Sequence, residues 1–248
     1  MRPPGTRHIT SHGKPLVLGL DHAAVVEDRP LFPTQVFHPD EVDRVLIGAE
    51  NNRKIGTHWS KGPWRGAPIF TLTLAERTTC PMSCPVRNAC MGNKMHLARR
   101  LLVNEALYES LDIEIELLSA QYPRFTVRLH QLGDFADDTY TRFWINKVRT
   151  TPELAVFGFT AHLRSSPVGA LIEEQSRSWD RFRIRFSAEA GKRSSTVMID
   201  PPVGRHRSGI TCPVEVSHPK RDGTTRNLKC GSCALCLTSR DPVVFKLH

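Results

Sequence analysis

No stretch of the sequence is apolar for long enough to span a membrane or to form a signal peptide. A membrane-spanning helix needs about 20 consecutive apolar residues, and a signal peptide needs an apolar centre of about 7–15 residues. Residues 1–30 instead mix Pro, Gly, His and charged residues with short apolar stretches. We therefore expect no membrane partner, and we expect the protein to work in the reducing cytoplasm.

Acidic residues are scarce, because 25 Asp and Glu stand against 34 Lys and Arg and leave a formal net charge of +9. Such a balance favours polyanionic partners such as nucleic acid. The basic residues form no long block, however, and are spread in short groups that include Arg99-Arg100, Arg181 to Arg185 and Lys192-Arg193. A nucleic-acid footprint and a dispersed basic surface therefore both remain open.

The chain also lacks the even number of cysteines that complete disulfide pairing requires. It has seven, of which three lie at 80–90 and four at 212–236. In a reducing compartment, clustered cysteines indicate metal binding or redox chemistry more often than a disulfide framework. Both groups are therefore predicted to bind metal.

The first group has no fourth cysteine. Its members are Cys80, Cys84 and Cys90, and a proline after each of the first two favours an extended backbone there. A structural zinc site needs four ligands, so zinc would require His96 as well. An iron–sulfur cluster on three cysteines would keep one iron open for a small molecule. Buried free thiols are a third alternative.

The second group has enough ligands to close a site. It consists of Cys212, Cys230, Cys233 and Cys236, and the run "CGSCALC" resembles the spacing of ferredoxin-type iron–sulfur sites. A closed 4Fe–4S cluster would be structural or would transfer electrons. Zinc is the alternative at this site.

Between the two groups, predicted strands alternate with predicted helices. Strands are predicted at 69–74, 125–132, 154–161, 181–188 and 195–199, and helices at about 93–121, 137–148 and 168–179. This rhythm is typical of an α/β fold with a parallel sheet. We predict a leader of irregular structure at 1–66, an α/β core at 67–205 and a cysteine-rich metal-binding segment at 206–248.

Polar residues follow the predicted strands, where parallel sheets usually carry their chemistry. The candidate catalytic residues are His130, Asp134, His162 and Glu189, and the candidate cofactor-binding residues are Asn93, Thr160 and Ser187. Strand alternation predicts that His130 projects opposite to Leu129. The alternatives are a structural role for His130, a helix N-cap at Asp134, and a cap of the long helix at Asn93.

Several motifs together resemble a family of bacteriophage and prophage proteins named after mycobacteriophage gene product 88. They are "NRKIG", "KGPWRG", "TLTLAERTTCP", "RLHQLGDF", "VFGFTAH", "CGSCALC" and the closing F-x-x-H at Phe245 to His248. The resemblance extends from about residue 50 to the end of the sequence. It implies a phage-encoded protein in the cytoplasm of a bacterial host, but it implies no activity.

A cysteine loop after the first strand of a parallel α/β barrel is also similar, more distantly, to the radical S-adenosylmethionine enzymes. That likeness implies a partial TIM-barrel-like sheet and a 4Fe–4S cluster on Cys80, Cys84 and Cys90. The open iron of such a cluster takes the amino and carboxylate groups of S-adenosylmethionine, and the C-terminal four cysteines would hold an auxiliary cluster. The cysteine spacing here is three then five rather than three then two, and "LGDF" replaces the usual glycine-rich stretch.

Three functions agree with these observations. The first is a radical-SAM-like iron–sulfur enzyme, with a nucleotide or nucleic acid among its candidate substrates. The second is a nucleic-acid-binding protein stabilised by zinc or iron–sulfur clusters, and the third is a redox- or metal-sensing regulator. We favour the first, because an open three-ligand site at strand ends suits stabilisation poorly. It predicts a cofactor-sized pocket above the first cysteine loop, and the oligomeric state is left open.

Overall fold

The computed structural model describes residues 7–11, 14–18, 35–52, 54–87, 89–95, 97–178, 180–187, 189, 192–199, 205–206, 209–215 and 228–246. Its strands are β1 Arg7–Ser11, β2 Lys14–Leu18, β3 Val36–Phe37, β4 Ile47–Gly48, β5 Ile69–Thr71, β6 Arg100–Leu101, β7 Phe125–Leu129, β8 Leu154–Thr160, β9 Phe182–Phe186, β10 Thr196–Ile199, β11 Arg205–His206, β12 Gly209–Thr211 and β13 Val243–Lys246. Its α-helices are α1 Glu76–Thr79, α2 Glu105–Gln121, α3 Asp138–Thr150, α4 Pro167–Gln175, α5 Cys230–Cys233 and α6 Leu235–Thr238. Short 3-10 helices occupy Pro39–Glu41, Ala49–Asn51 and Met91–Lys94.

A mixed, mostly parallel sheet forms the centre of the fold, in the order β4-β5-β7-β8-β9. Only the pairing of β4 with β5 is antiparallel, and the other three pairs are parallel. The α/β class predicted from the sequence is therefore confirmed. The parallel strands also follow one another in chain order. The connection from β5 to β7 contains the cysteine loop and α2, and each later connection contains one long helix.

Side-chain caps define the starts of the three long helices. The side-chain oxygens of Asn104, Asp137 and Ser166 accept hydrogen bonds from backbone amides in the first turns of α2, α3 and α4. Such caps satisfy amides that the helix itself cannot bond. The predicted helix start near residue 93 was wrong, because Arg100–Leu101 pairs with β3 as a short strand and Asn104 begins the helix.

The three long helices cover one face of the sheet and bury most of its apolar side chains. The apolar residues of α2 recur at three- and four-residue steps and are all buried: Leu107, Leu111, Ile115 and Leu118. They pack with Trp144 of α3 and Ile172 of α4 against Val127 and Val156 of the strands. This layer is the larger of the two hydrophobic clusters.

Residues 49–52, residues 54–67 and the last two helices cover the opposite face. Trp59 is buried there, donates from Nε1 to Thr126 Oγ1 at 2.8 Å, and packs edge-on against Phe157 with ring centroids 5.1 Å apart. Ala234 and Leu237 close the same cluster from the C-terminal segment. Each face of the sheet therefore has its own hydrophobic layer.

The strand predicted at 195–199 forms, as β10, but it belongs to a second sheet ordered β10-β13-β12-β11. Here Thr196 lies beside Val243, and Ile210 lies on the other side of the same residue. This sheet joins segments that are separated by more than 40 positions in sequence. Among the helices that the structure describes, none is long and apolar enough to cross a membrane.

Candidate functional site

The three-cysteine loop lies at the carboxyl edge of the parallel strands. It follows β5 through the short helix α1, and Cys80 is the residue at which that helix ends. Thr79 Oγ1 accepts a hydrogen bond from the amide of Asp134 at 3.1 Å, and Ser83 Oγ donates to the carbonyl of Ala161 at 2.6 Å. The loop is therefore attached to the residues that follow β7 and β8.

A buried ion pair holds the two ends of the loop together. Arg100 Nε and Nη2 donate to the carboxylate of Glu76 at 2.8 and 3.0 Å, and both side chains are almost fully buried. The same guanidinium donates to the carbonyls of Gly92, Met95 and Ala98. A fork of five donors suits this task, because it can satisfy a carboxylate and several carbonyls at once.

Two further arginines brace the loop from within. Arg77 donates to the carbonyl of Arg87 at 3.1 Å and to Asn93 Oδ1 at 2.6 Å. Arg87 in turn donates to the carbonyl of Cys80 at 3.1 Å. Asn93 therefore does not cap the long helix, and that alternative was wrong. Its described contact is with the loop.

Glycine is required where "LGDF" passes the cysteine loop. Gly133 has φ +83°, and a Cβ at this position would lie 2.7 Å from Leu74 Cβ and 2.8 Å from Thr79 Oγ1. A side chain would be strained by the backbone conformation and would also collide with α1. This close approach brings Asp134 near enough to Cys80 for its charge to raise the pKa of that thiol.

Asp134 is buried, and its carboxylate is bound by backbone amides. Those of Phe135 and Ala161 each donate to it at 2.7 Å. Burial raises the pKa of this carboxyl group, and the amide hydrogen bonds oppose the rise. The predicted alternative of a helix N-cap was wrong, because Asp137 caps α3. Asp134 instead joins the ends of β7 and β8.

Three more of the predicted residues lie at the neighbouring strand ends. Thr160 ends β8 and is fully buried, and its Oγ1 accepts from the amide of His162 at 3.1 Å. His162 Nε2 lies 2.8 Å from the carbonyl of Phe135. Ser187 Oγ donates to the carbonyl of Thr160 at 2.9 Å. The prediction that these strand ends are neighbours is therefore confirmed for β7, β8 and β9.

His130 lies in the helix-side core rather than at the loop. The peptide bond that precedes it is cis, and it follows the last residue of β7. Its Nε2 is 2.9 Å from the hydroxyl of Tyr140, and its ring packs edge-on against Phe135. The expectation that it projects opposite to Leu129 was wrong, since Leu129, Phe135 and Tyr140 share one hydrophobic cluster. Burial lowers the pKa of His130 to about 3.

Glu189 takes part in ion pairs. Its carboxylate accepts from Arg164 Nη1 at 3.0 Å and from Lys192 Nζ at 3.1 Å. Partial burial raises the pKa of Glu189, but the hydrogen bonds from Lys192 and Arg164 outweigh this effect and lower the pKa overall. None of its described contacts reaches the three-cysteine loop.

All seven cysteines are free thiols. Burial, the charge of Asp134 and the neighbouring thiols Cys84 and Cys90 raise the pKa of Cys80 far above its ordinary value. Burial likewise raises the pKa of Cys212 to about 12 and that of Cys236 to about 11. A metal ion that bound here would therefore have to displace protons from these thiols.

Neither cysteine group forms a ready-made site for a single ion. Within the described ranges, no three His, Cys, Asp or Glu side chains are arranged closely enough to hold one metal ion. His96, the alternative fourth zinc ligand, lies outside those ranges, as does His248 of the closing motif. The thiols of each group are nevertheless close enough to perturb one another's pKa values.

The second cysteine group lies on the face of the sheet opposite the long helices. The amides of Cys230 and Gly231 donate to the carbonyls of Lys54 and Ile55, each at 2.8 Å. A Cβ on Gly231 would lie 2.2 Å from the carbonyl oxygen of His58, so the helix α5 can lie this close only with glycine there. Cys212 follows β12, and its amide donates to the carbonyl of Val244 at 2.7 Å.

Strand arginines lie beneath this second group. Arg185 is fully buried and donates to the carbonyls of Ser239 and Asp241. Its positive charge opposes the effect of burial on the pKa of Cys236, and Arg128 does the same for Cys230 and Cys236. Two guanidinium groups therefore face thiols that would carry negative charge when they bind metal.

These arginines were not among the predicted site residues. Arg100 and Arg185 belong to groups that the sequence suggested as basic surface, but both are buried. The alternation of Arg183 and Arg185 with Phe182, Ile184 and Phe186 was the available signal, because it places two arginines on one face of a strand. Glu76 and Arg77 also stand just before Cys80 in sequence.

Two cavities of about 250 Å³ lie away from the three-cysteine loop. One is beside α2 and is lined by Leu46, Phe70 and Glu114 among others, and the second lies beyond the end of β9. The cofactor-sized pocket expected above the loop corresponds to neither. No protein-family model, curated protein or solved structure matches the chain.

Proposed function

We propose that this protein is an iron–sulfur enzyme of radical-SAM-like type, with an open cluster on Cys80, Cys84 and Cys90. The observation that carries the proposal is the position of the loop. Three thiols without a fourth lie at the carboxyl edge of a parallel sheet, beside the buried carboxylate of Asp134. Chemistry gathers at this edge in α/β folds.

The donor set favours a cluster over a single ion at this loop. Zinc draws its ligands to about 2.0–2.3 Å around one centre. A four-iron cluster binds each thiolate at a different iron and so accommodates thiols that lie farther apart. The three thiols are half-buried and influence one another's pKa values, but they do not converge on one point. They therefore suit a four-iron cluster better than a single zinc ion.

The order of the strands supports the likeness to a barrel. Doubly wound folds reverse their strand order at a switch point, and ligands bind there. The strands β5, β7, β8 and β9 follow chain order without reversal. A partial barrel-like sheet, in which the cysteine loop follows the first parallel strand, agrees with this topology.

A cluster held by these three cysteines would supply an electron for the cleavage of S-adenosylmethionine. The chain's own contribution is to place and shield the loop. The ion pair of Arg100 with Glu76 and the contacts of Arg77 and Arg87 hold its backbone. Asp134, Thr160 and His162 line the adjoining strand ends, where polar atoms could orient a substrate.

The second cysteine group is proposed to hold an auxiliary 4Fe–4S cluster, with zinc as the alternative. Four thiolates around a cluster core of charge 2+ give a site of about −2. Arg128 and Arg185 supply two positive charges beside it. A buried anionic site needs such partners, because an unpaired buried charge is strongly destabilising.

Metal analysis tests both assignments. The protein would be purified without oxygen, and iron, zinc and acid-labile sulfide would be measured per chain. We expect about eight irons with matching sulfide, followed by cleavage of added S-adenosylmethionine. About four irons with zinc would assign zinc to one site. Zinc alone would overturn the enzyme proposal and leave a metal-stabilised binding protein.

Two cysteine variants separate the roles of the sites. Cys84→Ser should remove about half of the iron and all cleavage of S-adenosylmethionine while the thermal unfolding midpoint changes little. Cys233→Ser should instead lower the midpoint, because its group anchors the C-terminal segment to the sheet. The reverse order of thermal stabilities would contradict this division.

A further inference from the structure

The second cavity lies beyond the end of β9 and is lined by none of the seven cysteines. Its volume is about 250 Å³, and its walls come from the end of α4, the last residue of β9 and the segments around 193 and 240. Its lining includes one acidic residue, Glu173, and five basic residues: Arg164, Arg177, Lys192, Arg193 and Arg240. The lining therefore carries an excess of positive charge, although Arg164 and Lys192 are paired with carboxylates.

Two serines that line the cavity have buried hydroxyl groups without a partner. Ser176 and Ser194 are 4% and 5% exposed, and the Oγ of neither makes a hydrogen bond with any residue that the structure describes. The backbone of Ser194 is held firmly, since its amide donates to the carbonyl of Arg240 at 2.7 Å. Buried hydroxyls are normally hydrogen-bonded, so these two leave donors that a ligand with acceptor atoms would satisfy.

The arginines of the cavity divide into a fixed wall and an exposed pair. Arg164 is bound to Glu173 and Glu189 at 3.0 Å each and lies 4.1 Å from the centroid of the Phe186 ring. Arg177 and Arg193 are exposed, and in the described part of the chain their guanidinium groups make no hydrogen bond or ion pair. These two can close on an anion.

We propose that this cavity binds a phosphate group, carried by a small nucleotide or by a nucleic-acid strand. Phosphate offers more acceptor oxygens than a carboxylate, so it can satisfy two hydroxyls and two guanidinium groups together. Arginine forks match phosphate geometry. The inference is independent of the metal content of the cysteine sites.

Calorimetric titration of the metal-loaded protein with inorganic phosphate, at constant ionic strength, tests the proposal. Arg193→Gln and Arg177→Gln should each weaken binding about tenfold, since each removes a charge-assisted hydrogen bond. The matched control is Arg65→Gln, which removes an exposed arginine that does not line the cavity. Equal weakening in the control, or no binding by the wild type at millimolar phosphate, would overturn the proposal.

Ser176→Ala separates binding from folding. We expect this variant to bind phosphate several-fold more weakly and to unfold at the same or a higher temperature without phosphate. A buried hydroxyl without a partner contributes nothing to the phosphate-free fold, so its removal should not weaken that fold. A variant that binds phosphate like the wild type would show that the hydroxyl faces no ligand.

Competition against phosphate identifies the carrier of the group. The probes are AMP and a ten-nucleotide oligothymidylate without a terminal phosphate. Displacement by AMP alone supports a phosphomonoester of a small nucleotide. Displacement by the oligonucleotide, with affinity that falls steeply as salt is added, supports a strand. If neither probe competes with phosphate, the proposal that a nucleotide or nucleic acid carries the phosphate group is wrong.

Discussion

At the scale of single residues, buried guanidinium groups organise the interior around both cysteine groups. Arg100 joins the two ends of the first loop, and Arg183 and Arg185 donate to backbone carbonyls of the C-terminal segment. Carbonyls in irregular segments have no ladder partner and must be satisfied in another way when they are buried. These arginines take the place of water there, and their charge is therefore not part of a surface for polyanions.

Replacing Arg100 should be among the most costly single changes. Arg100→Met would leave Glu76 as a buried carboxylate with its main partner removed, which costs about 3–5 kcal/mol. We expect this loss in the free energy of unfolding, measured by denaturant titration, together with loss of iron from the first site. Arg99→Met, the adjacent control, should cost less than about 1 kcal/mol. Similar losses in the two variants would contradict a special role for the buried pair.

The buried imidazole of His130 predicts a specific pH dependence. Its pKa is about 3 in the folded chain against an ordinary 6.5, so the unfolded chain binds a proton that the folded chain excludes. The contribution to stability is therefore complete above pH 6.5 and is lost as the pH falls toward 3. His130→Gln removes this titration and retains a polar partner for Tyr140.

Urea unfolding between about pH 5.5 and 7.5 measures the effect. Below about pH 6.5 the wild type should lose up to about 1.4 kcal/mol per pH unit more than His130→Gln. The raised pKa of Asp134 changes stability with pH in the opposite direction. Asp134 is present in both proteins, so this effect cancels when the two are compared. Parallel curves for wild type and His130→Gln would show that burial does not hold the imidazole neutral.

At the scale of elements, the sequence was sufficient for the local parts of the fold. The strands β7, β8 and β9 and the helices α3 and α4 were predicted because their periodicity and caps are local signals. The start of α2 was missed, because β6 pairs with a strand more than 60 positions away and overrides the apolar pattern before Asn104. Non-local pairing of this kind has no local signature.

The candidate site also contains residues that local sequence signals predict and residues that depend on distant contacts. Asp134, Thr160, His162 and Ser187 could be placed together because parallel strands bring their ends to one edge. The position of His130 could not be predicted, since alternation holds only within the strand and β7 ends one residue earlier. The arginine framework could not be predicted either, because burial of a charge depends on partners that are distant in sequence.

The close contact of α5 with residues 54–60 predicts the effect of a single methyl group. Gly231→Ala would place a Cβ 2.2 Å from the carbonyl oxygen of His58 and push the helix away from the sheet. We expect a loss of about 1–3 kcal/mol in the free energy of unfolding, with lower metal content at the second site. Ser60→Ala, which leaves the backbone bond to Gly231 intact, should have a smaller effect. If Gly231→Ala bound metal normally, the second site would not require α5 to lie this close to His58.

At the scale of the whole molecule, the two faces of the central sheet differ in what holds their cover in place. On one face, α2, α3 and α4 connect consecutive strands and pack beside them, so their contacts are short in sequence. On the opposite face, Ala234 and Leu237 reach back to Trp59 and Phe157 from the distant C-terminal segment. Local contacts lose less chain entropy on closing than distant ones.

This difference predicts partial rather than global unfolding when the second site loses its metal. In Cys233→Ser, amide hydrogen exchange should become faster in β10, β13 and residues 54–67, which depend on the C-terminal segment. Amides in α2, α3 and β7 should keep most of their protection, because the helix-side cluster includes no residue of that segment. Cys84→Ser is the matched control and should leave both regions protected. Equal loss of protection on both faces would show that the sheet and its two covers unfold as one cooperative unit, and that the metal stabilises the entire fold rather than one side of it.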